Sequence, residues 1–178
     1  MQLSDSIKAT IRDVPDFPKK GIMFKDITPV LATPQLREDI VHAIVSNFKG
    51  KSIDVVAGIE ARGFIVGALI AQEMRVPFVP IRKAGKLPYK SIREDYALEY
   101  GTAAIEMHED AIGKGQRVLL HDDLLATGGT ATAAANLVKK LGGDLAGFSF
   151  IINLSFLPGE ALLRDNFGIA PFSLVTYS

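Results

Sequence analysis

The chain has 178 residues, 48% of them hydrophobic, so it can fold around a substantial core and does not have the composition of a disordered protein. Its 20 Lys and Arg residues balance 20 Asp and Glu residues, and this zero formal net charge argues against a general nucleic-acid or membrane surface. Cysteine is absent, which excludes disulfides and thiolate chemistry, and neither a signal peptide nor an apolar run of ~18 residues is visible, so we predict a cytoplasmic protein.

The N-terminal part alternates a helical pattern with a loop. Leu3–Ile11 has amphipathic helical spacing, and prolines and glycine indicate a loop over Val14–Gly21. Phe17 and Phe24 are close in sequence and fit either core packing, the commoner role of aromatic residues, or a hydrophobic lid over a flat ring. Helical spacing then resumes over Pro34–Phe48.

A strand and a helix are predicted next, with charged and small residues at their junction. Branched apolar residues predict a buried strand over Ile53–Ile59, and a helix follows to about Met74. Glu60, Ala61 and Arg62 lie between them. Ligands of open parallel sheets bind beyond the carboxyl ends of strands, so an arginine at this junction suits an anion. The alternative is a surface arginine held in a salt bridge.

A long basic segment follows the next strand. Pro77–Ile81 has the pattern of a strand, and Arg82–Leu98 shows no clear period, which predicts an irregular loop. Loops of this length are usually functional or disordered, and the dense cations fit either a solvated face or a cover over a pyrophosphate. A strand is predicted again over Thr102–Met107.

The most informative stretch follows a strand predicted over Arg117–His121. Two adjacent carboxylates, Asp122 and Asp123, precede a turn of glycine and threonine residues, and a helix follows to about Leu141. The glycines let the backbone approach a ligand, and the start of the helix favours a phosphate. The carboxylates instead suit hydroxyls or a divalent cation. The stretch therefore predicts a sugar-phosphate site, with an ordinary solvated turn as the alternative.

The remaining pattern completes an α/β fold. Leu145–Leu154 is a predicted strand, Pro158–Asn166 a short helix and Pro171–Val175 a last strand. Alternation of strands and helices predicts a mostly parallel twisted sheet flanked by helices. No repeat or linker is visible, so residues 1–178 are predicted to form a single domain.

The stretch Asp122–Thr130 resembles the signature of the type I phosphoribosyltransferases, which bind phosphoribosyl pyrophosphate (PRPP), and is most similar to the adenine enzymes among them. The resemblance extends from Phe17 to Val175. It implies the type I phosphoribosyltransferase fold, with a small N-terminal hood over about residues 1–32 and a core over 33–178. It also implies conversion of adenine and PRPP to AMP and pyrophosphate in purine salvage, Mg²⁺ as the cofactor and a homodimer, with no nucleic-acid or membrane partner.

The resemblance assigns roles on the PRPP side. Asp122 and Asp123 would hold the ribose hydroxyls, and the metal through water or through PRPP. The 5-phosphate would be bound by the turn, comprising Ala126, Thr127, Gly128, Gly129 and Thr130. The pyrophosphate would be bound by the two loops described above, through Glu60, Ala61, Arg62, Arg82, Lys83 and Lys86.

On the base side, the resemblance concerns Gly21–Asp26 and Leu98–Gly101. Backbone groups of Met23 and Lys25 would bind the adenine edge and Phe24 would stack on the ring, which favours the lid interpretation of Phe24. A backbone carbonyl accepts from a 6-amino group and repels a 6-oxo group, so such a site selects adenine. Glu99 would be the catalytic acid or base at the purine.

Three other functions fit parts of the sequence less well. An oxopurine phosphoribosyltransferase would share the PRPP turn but lack the hood motif. A PRPP sensor that controls transcription would need a basic DNA-binding module. A dehydrogenase would need a glycine-rich dinucleotide motif after a strand. His121, directly before the acidic pair, is interpreted as a core histidine, with contact to the ribose site as the alternative.

Overall fold

The computed structural model describes residues 2–98 and 101–178. Its helices are α1 (Leu3–Thr10), α2 (Thr28–Leu31), α3 (Pro34–Asn47), α4 (Gly63–Met74), α5 (Gly129–Lys140) and α6 (Gly159–Phe167). Its strands are β1 (Arg12–Pro15), β2 (Met23–Asp26), β3 (Val55–Ile59), β4 (Phe78–Lys83), β5 (Ser91–Leu98), β6 (Gly101–His108), β7 (Arg117–Leu125), β8 (Asp144–Leu154) and β9 (Phe172–Tyr177). No described helix has both the length and the apolarity needed to cross a membrane.

Seven strands form the main sheet, in the order β5-β6-β4-β3-β7-β8-β9. Strands β4, β3, β7, β8 and β9 are parallel, and β5 and β6 add an antiparallel pair at one edge. The prediction of a mostly parallel α/β fold is therefore confirmed. β7 lies between β3 and β8, so the residues that follow it project from the middle of the sheet.

Both faces of the sheet are covered, which explains the continuous apolar runs in its strands. Val55 and Ala57 belong to a core cluster on the side of α5, whereas Val56 between them belongs to a second cluster on the side of α3 and α4. Successive side chains of a strand point to opposite faces, so a strand buried on both sides is apolar at every position.

The N-terminal hood contains a small antiparallel sheet of β1 and β2. The predicted loop over Val14–Gly21 is wrong at its start, because Val14 and Pro15 belong to β1. Proline is tolerated there since β1 pairs only with β2 within the described residues. The turn between the strands includes a cis peptide bond between Phe17 and Pro18.

The predicted irregular loop over Arg82–Leu98 is also wrong for most of its length. β4 continues to Lys83, and β5 pairs with β6 along all eight of its residues. Ile92 and Tyr96 of β5 pack against the core while Arg93 and Asp95 are exposed. This alternation is that of a half-buried strand, and charged residues obscure it in the sequence.

Candidate active site

The predicted phosphate turn lies between strand β7 and helix α5. The turn consists of Ala126–Gly128, and α5 begins at Gly129. Gly128 has a φ of +85°, which glycine adopts without the steric cost of a Cβ. The turn and the start of α5 line a cavity of about 80 Å³. Backbone N–H groups without helical partners, together with the helix dipole, favour an anion at this position.

Asp122 and Asp123 lie inside β7. The predicted strand boundary at His121 is wrong, because backbone pairing with β8 continues through Leu125 after the apolar pattern stops. The Oδ1 atom of Asp122 accepts a hydrogen bond from the backbone N–H of Asp123 at 2.8 Å. Burial, and next the neighbouring Asp123 carboxylate, raise the pKa of Asp122 well above its usual value. Asp122 therefore takes up a proton more readily than an ordinary aspartate.

A glycine lets α4 approach this acidic pair. A Cβ at Gly63 would lie 2.9 Å from both Asp122 Oδ1 and the carbonyl oxygen of His121. Only glycine fits so close a helix–strand contact without displacing the backbone. The contact brings Arg62, the residue before α4, within reach of β7, and its Nε lies 2.5 Å from Asp123 Oδ2. No role was predicted for Gly63, although its position at a strand-to-helix junction was a usable signal.

Arg62 connects the acidic pair with the hood. Its guanidinium carbon lies 5.4 Å from the centroid of the Phe24 ring, within the range of a cation–π contact. Burial alone would lower the pKa of Arg62, but the charges of Asp123, Asp122 and Asp26 outweigh it and raise that pKa. The ion pair with Asp123 is thus observed, it is compatible with both interpretations of this arginine, and its predicted role at the pyrophosphate stays a prediction.

Glu60 contacts the basic residues at the end of β4 and in the segment that follows it. Its Oε1 lies 2.7 Å from Lys86 Nζ, and its Oε2 lies 3.3 Å from Arg82 Nε and accepts the backbone N–H of Lys83 at 3.0 Å. Burial alone would raise the pKa of Glu60, but the hydrogen bonds and charges of these neighbours outweigh it and lower that pKa. Ala61 follows, joined to Glu60 by a cis peptide bond. The predicted pyrophosphate residues thus lie together at the carboxyl ends of β3 and β4 and in the segments that follow them.

The predicted adenine residues, Met23, Phe24 and Lys25, all lie on β2. The Phe24 ring packs edge-on against Phe17, with centroids 5.0 Å apart. Phe17 and Met23 are each 51% exposed. Phe24 therefore has an aromatic neighbour within the hood and also faces Arg62, so packing and a ligand-facing position are compatible.

The Lys25 side chain anchors the hood to the core. Its Nζ lies 2.7 Å from Asp13 Oδ1 and 4.1 Å from the centroid of the Tyr177 ring on β9. Salt bridge and cation–π contact together hold the end of this side chain. The backbone of Lys25, and not its ammonium group, is therefore the part that can face a ligand.

Comparison with known proteins identifies the family. Residues 27–156 match the family model of the phosphoribosyl transferase domain. The adenine phosphoribosyltransferase of Sorangium cellulosum is 52% identical over 97% of this chain and 87% of the relative. The chain belongs to the adenine phosphoribosyltransferase family. Membership makes it a transferase of the pentosyltransferase class.

Solved structures of the family have the same fold. The adenine phosphoribosyltransferase of Thermoanaerobacter pseudethanolicus has a TM-score of 0.94 and 46% identity over 99% of this chain and 100% of that one. The Saccharomyces cerevisiae enzyme, crystallised with an imino-altritol bisphosphate and adenine, has a TM-score of 0.89 and 36% identity over 97% of this chain and 98% of that one. The type I phosphoribosyltransferase fold is thus shown along nearly the whole chain.

Glu99, the predicted acid or base of this family member, lies outside the described residues, and its role stays a prediction. The strands on either side of it are described. β5 and β6 pair as far as Leu98 and Gly101. The end of β5 also lies beside the phosphate turn, because a Cβ at Gly129 would be 3.5 Å from the Tyr96 ring.

His121 is confirmed as a core residue, with 1% of its surface exposed. No partner was predicted for His121, but its Nδ1 lies 2.9 Å from the hydroxyl of Ser149 on β8. Its Nε2 has no hydrogen-bond partner among the described residues. Burial lowers the pKa of His121 to about 3, and the hydrogen bond with Ser149 opposes this only partly. The imidazole is therefore neutral in the folded protein.

Several wider surface cavities lie away from this cluster. One of about 410 Å³ lies between the ends of α3 and α4, lined by residues that include Phe48 and Met74. None of the predicted site residues lines it. Cavity size alone would therefore misplace the site, which is defined instead by charge and by backbone N–H groups.

Proposed function

We propose that the protein transfers the 5-phosphoribosyl group from PRPP to adenine, giving AMP and pyrophosphate. The observation that carries this proposal is the continuous contact from Phe24 of the hood through Arg62 to Asp123 of β7. A base and a ribose react only when they are held together in line, and here the candidate base and ribose residues are one side chain apart. Membership of the adenine phosphoribosyltransferase family supports adenine as the base.

The PRPP-binding residues are proposed on the geometry of β7 and its turn. Asp122 and Asp123 would hold the ribose hydroxyls, and because burial raises the pKa of Asp122, this side chain would donate a hydrogen bond when protonated and accept one when ionised. The 5-phosphate would bind the N–H and hydroxyl groups of the turn and of the first residues of α5, comprising Ala126, Thr127, Gly128, Gly129 and Thr130.

The pyrophosphate is proposed to bind beyond β3 and β4, where Arg62, Arg82, Lys83 and Lys86 lie close to the carboxylates of Asp123 and Glu60. Charge-assisted hydrogen bonds of arginine and lysine to phosphate are strong. The substrate anion would take over cations that Glu60 and Asp123 already hold in place, with Ala61 contributing its backbone.

The proposed reaction exchanges one bond at the anomeric carbon. The C1–O bond of PRPP breaks through an oxocarbenium-like transition state, and its electron pair leaves with pyrophosphate. A ring nitrogen of adenine forms the new bond to C1, and the proton it releases goes to Glu99. Phe24, with the hood, would stack on the base and exclude water from the oxocarbenium ion.

We propose Mg²⁺ as the cofactor, carried into the site by PRPP. The described residues contain no group of three His, Cys, Asp or Glu side chains that could hold a metal ion. Mg²⁺ commonly uses one or two carboxylates together with substrate phosphates, and Asp122 and Asp123 fit such a set, directly or through water. When bound, Mg²⁺ would neutralise the departing pyrophosphate.

An assay with each purine base tests the proposed function. Purified protein, PRPP and MgCl₂ are mixed with adenine, hypoxanthine, guanine or xanthine, and nucleotides are separated by chromatography. We expect AMP from adenine and little product from the 6-oxopurines, which a backbone carbonyl acceptor repels. Product from hypoxanthine without product from adenine would refute the adenine assignment. Omitting MgCl₂ and adding a chelator should abolish turnover.

We also propose a cytoplasmic homodimer. Ile65 and Leu69 lie one turn apart on α4 and are 45% and 40% exposed, and a second copy of the chain would cover them. Leu69→Glu should shift the mass measured by light scattering from dimer to monomer, and an unchanged dimer mass would contradict this interface. Cell fractionation tests the localisation.

A further inference from the structure

The start of α6 packs against the phosphate turn. The backbone N–H of Gly159, the first residue of α6, donates a hydrogen bond to the carbonyl oxygen of Ala126 at 3.1 Å. A Cβ at Gly159 would overlap that carbonyl oxygen and would lie 2.9 Å from Leu125 Cδ1 and 3.1 Å from Gly128 N. No side chain larger than hydrogen fits at position 159 unless the turn moves.

The contact is reciprocal. A Cβ at Gly128 would lie 2.9 Å from Gly159 Cα and 3.2 Å from its carbonyl oxygen. Two glycine backbones therefore touch, one from the turn and one from α6. Asn153, which is 4% exposed, ties the first turn of α6 to β8, since its Nδ2 donates to Glu160 Oε2 at 2.9 Å. α6 is thus fixed at the carboxyl ends of the parallel strands, where the turn also lies.

The hydrogen bond at Ala126 determines where the next N–H group points. The peptide bond between Ala126 and Thr127 is not among the cis bonds of the described chain, so it is trans and planar. In a trans peptide the C=O and N–H groups point in opposite directions. While Gly159 holds the Ala126 carbonyl, the Thr127 N–H points away from α6.

We propose that Gly159 is a positioning residue for the 5-phosphate of PRPP. It does not touch the substrate itself. By holding the Ala126 carbonyl it aims the Thr127 N–H, and by lacking a side chain it lets Gly128 keep its left-handed conformation next to α6. This inference rests on the proposed role of the turn in PRPP binding. Gly159 itself lies outside the glycine–threonine motif, thirty-one positions after Gly128 in the sequence.

The test replaces Gly159 with alanine. Gly159 has no positive φ, so alanine can adopt its backbone conformation and would ordinarily favour the helix. The cost of Gly159→Ala therefore comes from the contact of the new Cβ with the turn. We expect the KM for PRPP to rise about tenfold or more, as when a hydrogen bond to a charged group is misdirected, while the KM for adenine changes little. Calorimetry with ribose 5-phosphate should show the same loss of affinity without any need for turnover.

Gly113→Ala is the matched control, because a Cβ there meets only the flexible Gln116 side chain, at 3.4 Å. It should leave both KM values unchanged. A folded Gly159→Ala protein with an unchanged KM for PRPP would overturn the proposal, as would equal rises in both KM values, since a general loss of structure gives that result.

Two further measurements keep the test decisive. If Gly159→Ala fails to fold, Leu162→Ala replaces it. Leu162 Cδ2 would be 3.3 Å from a Cβ at Gly128, so the Leu162 side chain is part of the contact between α6 and the turn. Its removal loosens that contact without introducing a clash. An unchanged affinity for ribose 5-phosphate in Leu162→Ala would then overturn the proposal. If the parent protein binds ribose 5-phosphate but does not use adenine, the proposed function fails while the calorimetric test of Gly159 stands.

Discussion

His121 should make the folded protein sensitive to acid, and replacing it should remove part of that sensitivity. In the folded chain burial lowers its pKa to about 3. In the unfolded chain an imidazole has a pKa of about 6.5. As the pH falls below the unfolded value, the unfolded state takes up a proton that the folded state does not. The free energy of unfolding therefore falls across the window from about 6.5 down to about 3.

The size of the effect follows from the same two values. A pH of about 5 lies roughly 1.5 units below the pKa of His121 in the unfolded chain, and His121 is still neutral in the folded protein at that pH. Each unit corresponds to about 1.4 kcal/mol, so acidification to this pH should cost about 2 kcal/mol of stability through this residue. His121→Leu removes the titrating group and keeps a side chain of similar size. The hydroxyl of Ser149 keeps the Leu120 carbonyl as an acceptor at 3.5 Å.

Urea unfolding followed by circular dichroism, at a pH of about 7.5 and again at about 5, measures this effect. Between the two pH values, the free energy of unfolding of the parent should fall by about 2 kcal/mol more than that of His121→Leu. His42→Gln, at an exposed position of α3, is the matched control and should lose as much as the parent. Equal losses in the parent and in His121→Leu would refute the reasoning.

Three further substitutions test the site and the core. Glu99→Gln should lower kcat far more than the affinity for PRPP, measured by steady-state kinetics and calorimetry; equal losses would contradict an acid–base role. Tyr177→Leu removes the aromatic anchor of Lys25 and should raise the KM for adenine roughly two- to fivefold with the KM for PRPP unchanged; an unchanged adenine KM would exclude this anchoring role. Phe148→Ala, in the fully buried core, should lower the free energy of unfolding by about 3–5 kcal/mol in urea titrations, and a loss under about 1 kcal/mol would mean that the site is not tightly packed.

Several strands, and the glycine turn after β7, could be predicted because local sequence determines them. The predicted strands Ile53–Ile59 and Leu145–Leu154 coincide with β3 and β8 to within two residues. Strands covered on both faces are apolar without interruption, and this pattern needs no knowledge of the fold. The turn was recognisable because glycine, threonine and paired aspartates stand in one short stretch.

Strand β5 could not be predicted as easily, because its inward face carries a charge. Glu94 lies on the same face as Ile92 and Tyr96 and is partly buried. Its Oε2 lies 2.5 Å from Lys140 Nζ, and its Oε1 accepts a hydrogen bond from Asn136 at 2.9 Å. A buried carboxylate needs such partners, and both come from α5, more than forty positions away in the sequence.

The ion pairs of the candidate site were also beyond prediction from sequence. Arg62 and Asp123 are 61 positions apart, and Glu60 and Lys86 are 26 positions apart. No local spacing indicates such pairs, since only the arrangement of β3, β4 and β7 brings them together. The resemblance assigned Glu60, Arg62 and Lys86 to the pyrophosphate and Asp123 to the ribose, but it could not show which of these residues pair with one another.

The partners of Arg62, Arg82 and Lys86 have a consequence for how salt affects substrate binding. These cations already lie beside Asp123 and Glu60, so a diphosphate that bound at this proposed site would replace one anion with another and would form few ion pairs in excess of those it breaks. Free chloride or inorganic phosphate gains little by the same replacement, because neither brings a ribose and a second anchor at the turn. Affinity for PRPP should therefore depend on ionic strength less steeply than the number of nearby cations suggests.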